Sequence, residues 1–198
     1  MPKLGMRPIR RKQLIDAAIA AIHEFGLADA TVARIARKAG VSAGIVHHYF
    51  ADKDDLLFAT MRHLLEDLRR QVVVNLRRAA SPRERLHAIV EASFADHQFS
   101  EAVMAAWLGL YGNARQSDRL ARIVRLYHSR LRANLVHALR DAVARDRVES
   151  VAEGIASMID GLWLRCALRG GTDDARDARL LTLDYVDAQL RAGAHRLN

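Results

Sequence analysis

The stretch Thr31 to Phe50, TVARIARKAGVSAGIVHHYF, reads as two short helices joined by a tight turn. Thr31 can cap the first helix, and Val32, Ile35, Ala36 and Ala39 recur at helical spacing along one face. Gly40 follows directly, where ending a helix calls for a left-handed residue without a Cβ clash. Val41 is placed to enter the core, and Ser42 offers its hydroxyl as the cap of a second helix, about Ser42 to Tyr49. That helix buries Ile45, Val46 and either Tyr49 or Phe50, leaving Ala43, Gly44, His47 and His48 on its open face. Small residues at the front of a helix let its backbone approach another surface, and a DNA major groove is the obvious partner. Helix, glycine-containing turn and capped second helix make a helix-turn-helix.

The flanks agree with this reading. Met1 to Ile9 is a basic arm in which Pro2 and Pro8 argue against helix, suited to reach phosphates or a minor groove. From Arg10 to Phe25 the apolar positions Leu14, Ala17, Ala18, Ala21, Ile22 and Phe25 share one helical face, and Gly26 ends it. Arg10, Arg11 and Lys12 lie in the first turn, where the helix dipole disfavours cations and an external phosphate would compensate. On the other side, Asp52 caps a long helix from Lys53 to about Ala79, with Leu56, Leu57, Met61, Leu64, Leu65, Leu68, Val72 and Leu76 on its apolar face. Lys53 sits in its first turn, where a helix N-terminus already attracts phosphate.

The segment IARKAGVSAGIVHHYFADKDDLL resembles the DNA-binding signature of the TetR family of repressors. The shared positions are an Ile-Ala pair, Ala-Gly-Val-Ser, a Gly two further on, Tyr-Phe, and a Lys three after Phe50. The chain departs from the usual pattern at His47, where that family most often has Tyr. The resemblance implies a three-helix reading head whose following helix links it to a regulatory body, with the lysine at its start on backbone phosphate. The expected DNA-contacting residues are Ala43, Gly44, His47, His48 and Lys53, with Thr31, Ser42 and Tyr49 on phosphate. It also implies a homodimer placing two such heads on a palindromic operator, since one short helix gives too few contacts for specific binding.

Composition narrows the classes. The formal charge is +8, and residues 1–53 hold nine basic and four acidic residues, a net +5 on about a quarter of the chain. A single cysteine, Cys166, forbids an internal disulfide and points to a reducing compartment. The basic start is not followed by the apolar run of a signal peptide, and apolar stretches stop well short of the roughly 18–20 residues a membrane span needs. The expectation is a cytoplasmic protein with no membrane partner. There is no HExxH, no glycine-rich phosphate loop and no nucleophile elbow, and the nine histidines are scattered. No catalytic residue, cofactor or metal site is expected, and the chain is not read as an enzyme. A protein that coats DNA by charge alone would bind without sequence preference and with strong salt dependence.

The remaining chain is helical too. Ser81-Pro82 starts a helix lined by Leu86, Ile89, Val90, Phe94 and His97, which breaks near Phe99. Ser100 caps the next, carrying Val103, Met104, Trp107, Leu108, Leu110 and Tyr111, and Asn113 to Ser117 reads as a loop. A sustained apolar stripe from about Asp118 to Ala144 follows. The helix through Ile159 and Cys166 is ended by Gly170-Gly171, and a last helix runs from Asp173 to about Leu190. The fold class is all-α, with residues 1–53 as the DNA-binding domain and 54–198 as a regulatory and dimerisation domain. Two long amphipathic helices near the C-terminus suit pairing with their own copies in a four-helix bundle.

Phe94, Trp107, Tyr111 and Trp163 are aromatics on helices expected to surround the body's interior, with Asp160 in an apolar run. Aromatic faces with a carboxylate suit a quaternary ammonium, which donates no strong hydrogen bond and relies on cation–π attraction. Ordinary core packing is the bland alternative for each ring. A buried Asp160 needs a partner, whether ligand, Arg165 or a dimer interface. The stretches MPKLGMRPIRRKQLIDA, AWLGLYG and IDGLWLRCAL are similar to a choline-sensing branch of the same family. That likeness implies repression of choline uptake and glycine betaine synthesis genes, relieved by choline. A regulator of another pathway, such as efflux, answering a different cationic or lipophilic ligand is the alternative.

Overall fold

The structure, a computed structural model, describes residues 6–169 and 173–194. Among these no strand occurs, and the chain is all-α. The helices are α1 (Met6–Asp29), α2 (Val32–Lys38), α3 (Ala43–Tyr49), α4 (Lys53–Leu76) and α5 (Pro82–Ser93). After them come α6 (Glu101–Asn113), α7 (Asp118–Leu139), α8 (Val148–Arg169) and α9 (Asp173–Ala194). Short 3-10 turns cover Asp96–Phe99, Ala114–Gln116 and Arg145–Arg147.

The backbone closes into two compact units, one holding residues up to Leu65 with Glu101–Val124, the other Glu66–Ser100 with residues from Arg125 on. Helices α4 and α7 contribute residues to both. The first unit packs α1 against α6. Its core is built from Leu14, Ala18 and Ile22 of α1, Ile35 of α2, Val46 and Phe50 around α3, Leu56 and Met61 of α4, and Trp107 and Leu110 of α6. In the second unit α9 packs against α5 and α8 over Leu86, Ile89, Leu135, Ile155, Ile159 and Val186.

Local chemistry accounts for the boundaries. Thr31 Oγ1 accepts from the Arg34 amide at 3.3 Å and caps α2. Asp52 Oδ1 accepts from the Asp55 amide at 2.6 Å, while Asp55 Oδ2 accepts from the Ala51 amide at 3.3 Å, a reciprocal box at the front of α4. Ser81 and Glu84 do the same for α5, with Ala80 N–H to Glu84 Oε2 at 2.7 Å. Gly40 has φ +65°, and the Val41 amide bonds back to the Ala36 carbonyl at 3.0 Å, a closing turn that a Cβ would strain. A Cβ on Gly40 would meet nothing within 4 Å, so Gly40→Ala should lose only the backbone preference. The expected cost is about 1–2 kcal/mol, read as a lower urea midpoint; an unchanged midpoint would contradict the left-handed turn.

Several expectations are corrected. Helix α1 begins at Met6, not Arg10, because Pro8 falls in the first turn, where amides lack intrahelical partners and proline is tolerated. Met1 to Gly5, the rest of the expected arm, lie outside the described residues. Gly26 (φ 78°, ψ 163°) interrupts the helix as expected, and a further short turn then runs to Asp29. Ser42 stands at the cap of α3 in extended geometry, yet its side chain makes no cap hydrogen bond. Val41 is half-buried. Helix α5 stops at Ser93, with Phe94 turned out of helical geometry and His97 exposed in the following 3-10 turn. The Ser100 hydroxyl donates back to the His97 carbonyl at 3.3 Å. Helices α4 and α7 end earlier than expected, at Leu76 and Leu139. Gly170-Gly171 lie outside the described residues.

A charged ladder joins α5 to α9. Arg83 Nε donates to Asp187 Oδ1 at 2.8 Å, His87 Nε2 lies 3.0 Å from the same oxygen, and Arg179 Nη1 donates to Glu91 Oε2 at 3.0 Å. The Arg83 hydrogen bond, with help from His87, holds the Asp187 carboxyl down at about 2 against an ordinary 3.8. A carboxyl lowered by folding stabilises fully above its ordinary range, and the gain is lost as pH falls from there through about 2. Asp187→Asn is therefore expected to cost about 1 kcal/mol at pH 7, discounted for the exposed arginine. Its deficit against the wild type in urea unfolding should vanish as pH nears 2; a deficit independent of pH would contradict the ion-pair origin.

Candidate nucleic-acid interface and effector residues

Helix α3 has seven residues, and only Val46 inside it is fully buried, with Phe50 one turn on as the second anchor. Arg11 of α1 lies over the Phe50 ring, 4.8 Å from its centroid, so the front of α1 adjoins the end of α3. This anchoring leaves Ser42, Ala43, Gly44, His47 and His48 exposed, as the helical spacing required, and Tyr49 half-buried with its ring edge-on to His48 at 5.2 Å. A Cβ on Gly44 would meet only Ser42 Oγ, at 3.8 Å, so the front of α3 is open. Ile45 corrects the sequence reading: it is 41% exposed rather than buried. In so short a helix only one stripe, Val46 and Phe50, reaches the core. Ile45 thus joins the open face as an exposed apolar side chain.

The basic residues behind this face are tied inward. Arg34 donates to the Asp29 carbonyl at 2.7 Å and lies over the Phe25 ring at 4.4 Å. Lys38 pairs with Glu24. Lys53 Nζ donates to the Ala28 carbonyl and lines a cleft of about 220 Å³ with Leu27, Leu57, Arg119 and Leu120. Thr31 is exposed but its hydroxyl is already used as the α2 cap.

The five candidate effector residues fall in two groups. Trp107 and Tyr111 share α6 in the first unit, with ring centroids 6.1 Å apart. Phe94 stacks on Phe99 at 6.1 Å in the second unit, where α8 carries Asp160 and Trp163. Asp160 meets partners that sequence order hid. Its Oδ1 accepts from the Tyr127 hydroxyl at 2.6 Å and its Oδ2 lies 3.4 Å from His128 Nε2. Burial raises the Asp160 carboxyl above its ordinary range, opposed by the Tyr127 hydrogen bond and by His128, with Glu153 adding to the rise. Tyr127 and His128 were missed because a stripe on α7 gives no signal for a residue 33 positions away. Cys166 is buried, and burial pushes its thiol up, which makes it a core residue.

Among the described residues no group of three or more His, Cys, Asp or Glu is arranged to hold a metal ion. No described helix is long and apolar enough to cross a membrane.

Residues 14–60 match the family model for bacterial regulatory proteins of the tetR family, and residues 82–191 match the C-terminal region of BetI-type transcriptional repressors. The chain is 48% identical over 190 residues to the HTH-type transcriptional regulator BetI of Brucella abortus, covering 96% of each. Against the regulator of that name from Rhizobium meliloti it is 45% identical over 192 residues, 97% of this chain and 95% of the relative. Among solved structures, a proposed transcriptional regulator of Pseudomonas aeruginosa PAO1 aligns with a TM-score of 0.77 at 30% identity, covering 96% and 93% of the two chains. A regulator from Saccharomonospora viridis solved with choline aligns with a TM-score of 0.74 at 20% identity, covering 89% and 95%, a likeness of fold.

Proposed function

This chain belongs to the TetR family of bacterial regulatory proteins, a DNA-binding transcriptional repressor and not an enzyme, and from that premise we propose that it represses choline uptake and glycine betaine synthesis genes and is released by choline. The observation that carries the reading is the BetI-type match over residues 82–191, the region that holds Asp160 and Trp163. It acts where the chromosome is, in the cytoplasm. As a homodimer it sets two α3 helices in successive major grooves of a palindrome, about one turn apart. Ala43, Gly44, Ile45, His47 and His48 face base edges, and Ser42, Tyr49 and Lys53 reach phosphates. Lys53 must leave the Ala28 carbonyl to do so.

Choline is a cation that offers one hydroxyl and no N–H, so its site needs aromatic faces and a negative charge. Asp160 supports this assignment because its carboxylate orders two ring side chains, Tyr127 and His128, one turn of α8 from Trp163. The choline complex of the Saccharomonospora viridis regulator shares this fold and makes such a ligand reasonable. Choline bound in the body favours a head spacing that no longer matches the operator, a linkage between two sites.

Calorimetric titration tests the assignment, with choline as ligand and glycine betaine as the control. A saturable choline isotherm is expected, weakened about tenfold in Asp160→Asn by loss of the cation's counter-charge. Operator binding with no choline isotherm would overturn the betaine reading and leave a regulator of another pathway.

A further inference from the structure

Asp55 is shared between three elements of the first unit. Its Oδ2 accepts from the amide of Ala51, the residue after Phe50, which closes the recognition helix α3. Its own amide donates to Asp52 in the box that starts α4. Its Oδ1 accepts from Arg119 Nη2 at 3.1 Å, and Arg119 stands in the first turn of α7. The Arg119 guanidinium is also seated over the Phe58 ring of α4, 4.7 Å from the centroid, which fixes the plane of the donor.

The same two helices are pinned again farther along. Arg130 of α7 lies 4.0 Å from Glu66 of α4. Glu66 stands eleven residues after Asp55 in α4, and Arg130 eleven after Arg119 in α7. Between Arg119 and Arg130, α7 carries Tyr127 and His128, the partners of Asp160. One carboxylate therefore links the first turn of α7 to the backbone that ends the recognition helix.

We infer that Arg119 is a positioning residue that sets the recognition helix through Asp55, so that the state of α7 and the seating of α3 are coupled at this contact. The Arg119 side chain is 48% exposed and the Asp55 side chain 32%. A pair that open adds little to stability, so its value lies in geometry, and removing it should not unfold the protein. Coupling of this kind is reciprocal, and DNA bound to α3 must also be felt in α7. The inference rests on DNA binding by the head and not on which effector the body takes.

Hydrogen exchange with and without a duplex from upstream of the protein's own gene tests it, on wild type, Arg119→Ala and Arg119→Lys. In the wild type the duplex should slow exchange in the α3 peptide and in residues 125–139. In Arg119→Ala the α3 protection should persist while the response in 125–139 falls at least fivefold, and Arg119→Lys should recover part of it. Equal responses in 125–139 for wild type and Arg119→Ala would overturn the assignment, as would a wild type protected at α3 alone. Loss of α3 protection in both variants would mean that Arg119 merely holds the fold, and would overturn it too. No effector enters the experiment, so indifference to choline sinks the betaine reading without touching this one.

Discussion

Gly44→Glu is expected to lower operator affinity by a hundredfold or more while leaving thermal unfolding unchanged or slightly raised. In the free protein the new side chain has room, since the nearest atom to a Cβ there is Ser42 Oγ at 3.8 Å. An acid in the first turn of α3 also agrees with the helix dipole. In the complex the same carboxylate would enter a groove walled by phosphates, at a position where the helix backbone must come close. Losing one good base contact costs about 1–3 kcal/mol, and a dimer loses it in both half-sites. Anisotropy with a labelled operator and a thermal melt on the same preparation separate the two effects. Unchanged affinity would mean that α3 presents some other face to DNA.

Leu168→Glu combined with Leu181→Glu is expected to give a monomer at micromolar concentration and to weaken operator binding by about two orders of magnitude or more. Leu168 is 69% exposed on α8 and Leu181 53% exposed on α9, and Leu164 and Leu180 are exposed beside them. Helices α8 and α9 pack together, so these leucines lie on adjoining helices of one unit. Large apolar residues left exposed on two packed helices are the kind that mark an interaction surface, and in the proposed homodimer the symmetric partner is a second copy. Carboxylates buried there without counter-charges would cost several kcal/mol. With the heads unlinked, the second half-site no longer benefits from effective concentration, a factor of roughly 10²–10⁴. Sedimentation velocity reads the mass directly, and a double variant that stays dimeric would place the interface elsewhere.

The parts of this molecule legible in its sequence are those governed by neighbours in the chain. The Thr31, Asp52 and Ser81 caps and the left-handed Gly40 act within four residues, and each stands where local chemistry required. The exposed face of α3 was legible for the same reason. Errors arose where local rules compete or distance intervenes. Pro8 argues against helix on local grounds, although the first turn of a helix tolerates it. The apolar character of Ile45 points to the core, but a seven-residue helix resting on Val46 and Phe50 has only one buried stripe. The hold of Lys53 on the Ala28 carbonyl joins residues 25 apart, and that of Tyr127 on Asp160 joins residues 33 apart, contacts that only the packing of helices creates.

Operator binding at fixed salt, followed by fluorescence anisotropy with DNA from upstream of the protein's own gene, tests the central claim most directly. The prediction is tight, sequence-specific binding that weakens as choline chloride is added, and far less on adding an equal concentration of sodium chloride. Specific binding indifferent to choline would contradict the effector assignment, and binding no tighter than to random DNA of the same length would contradict the account as a whole.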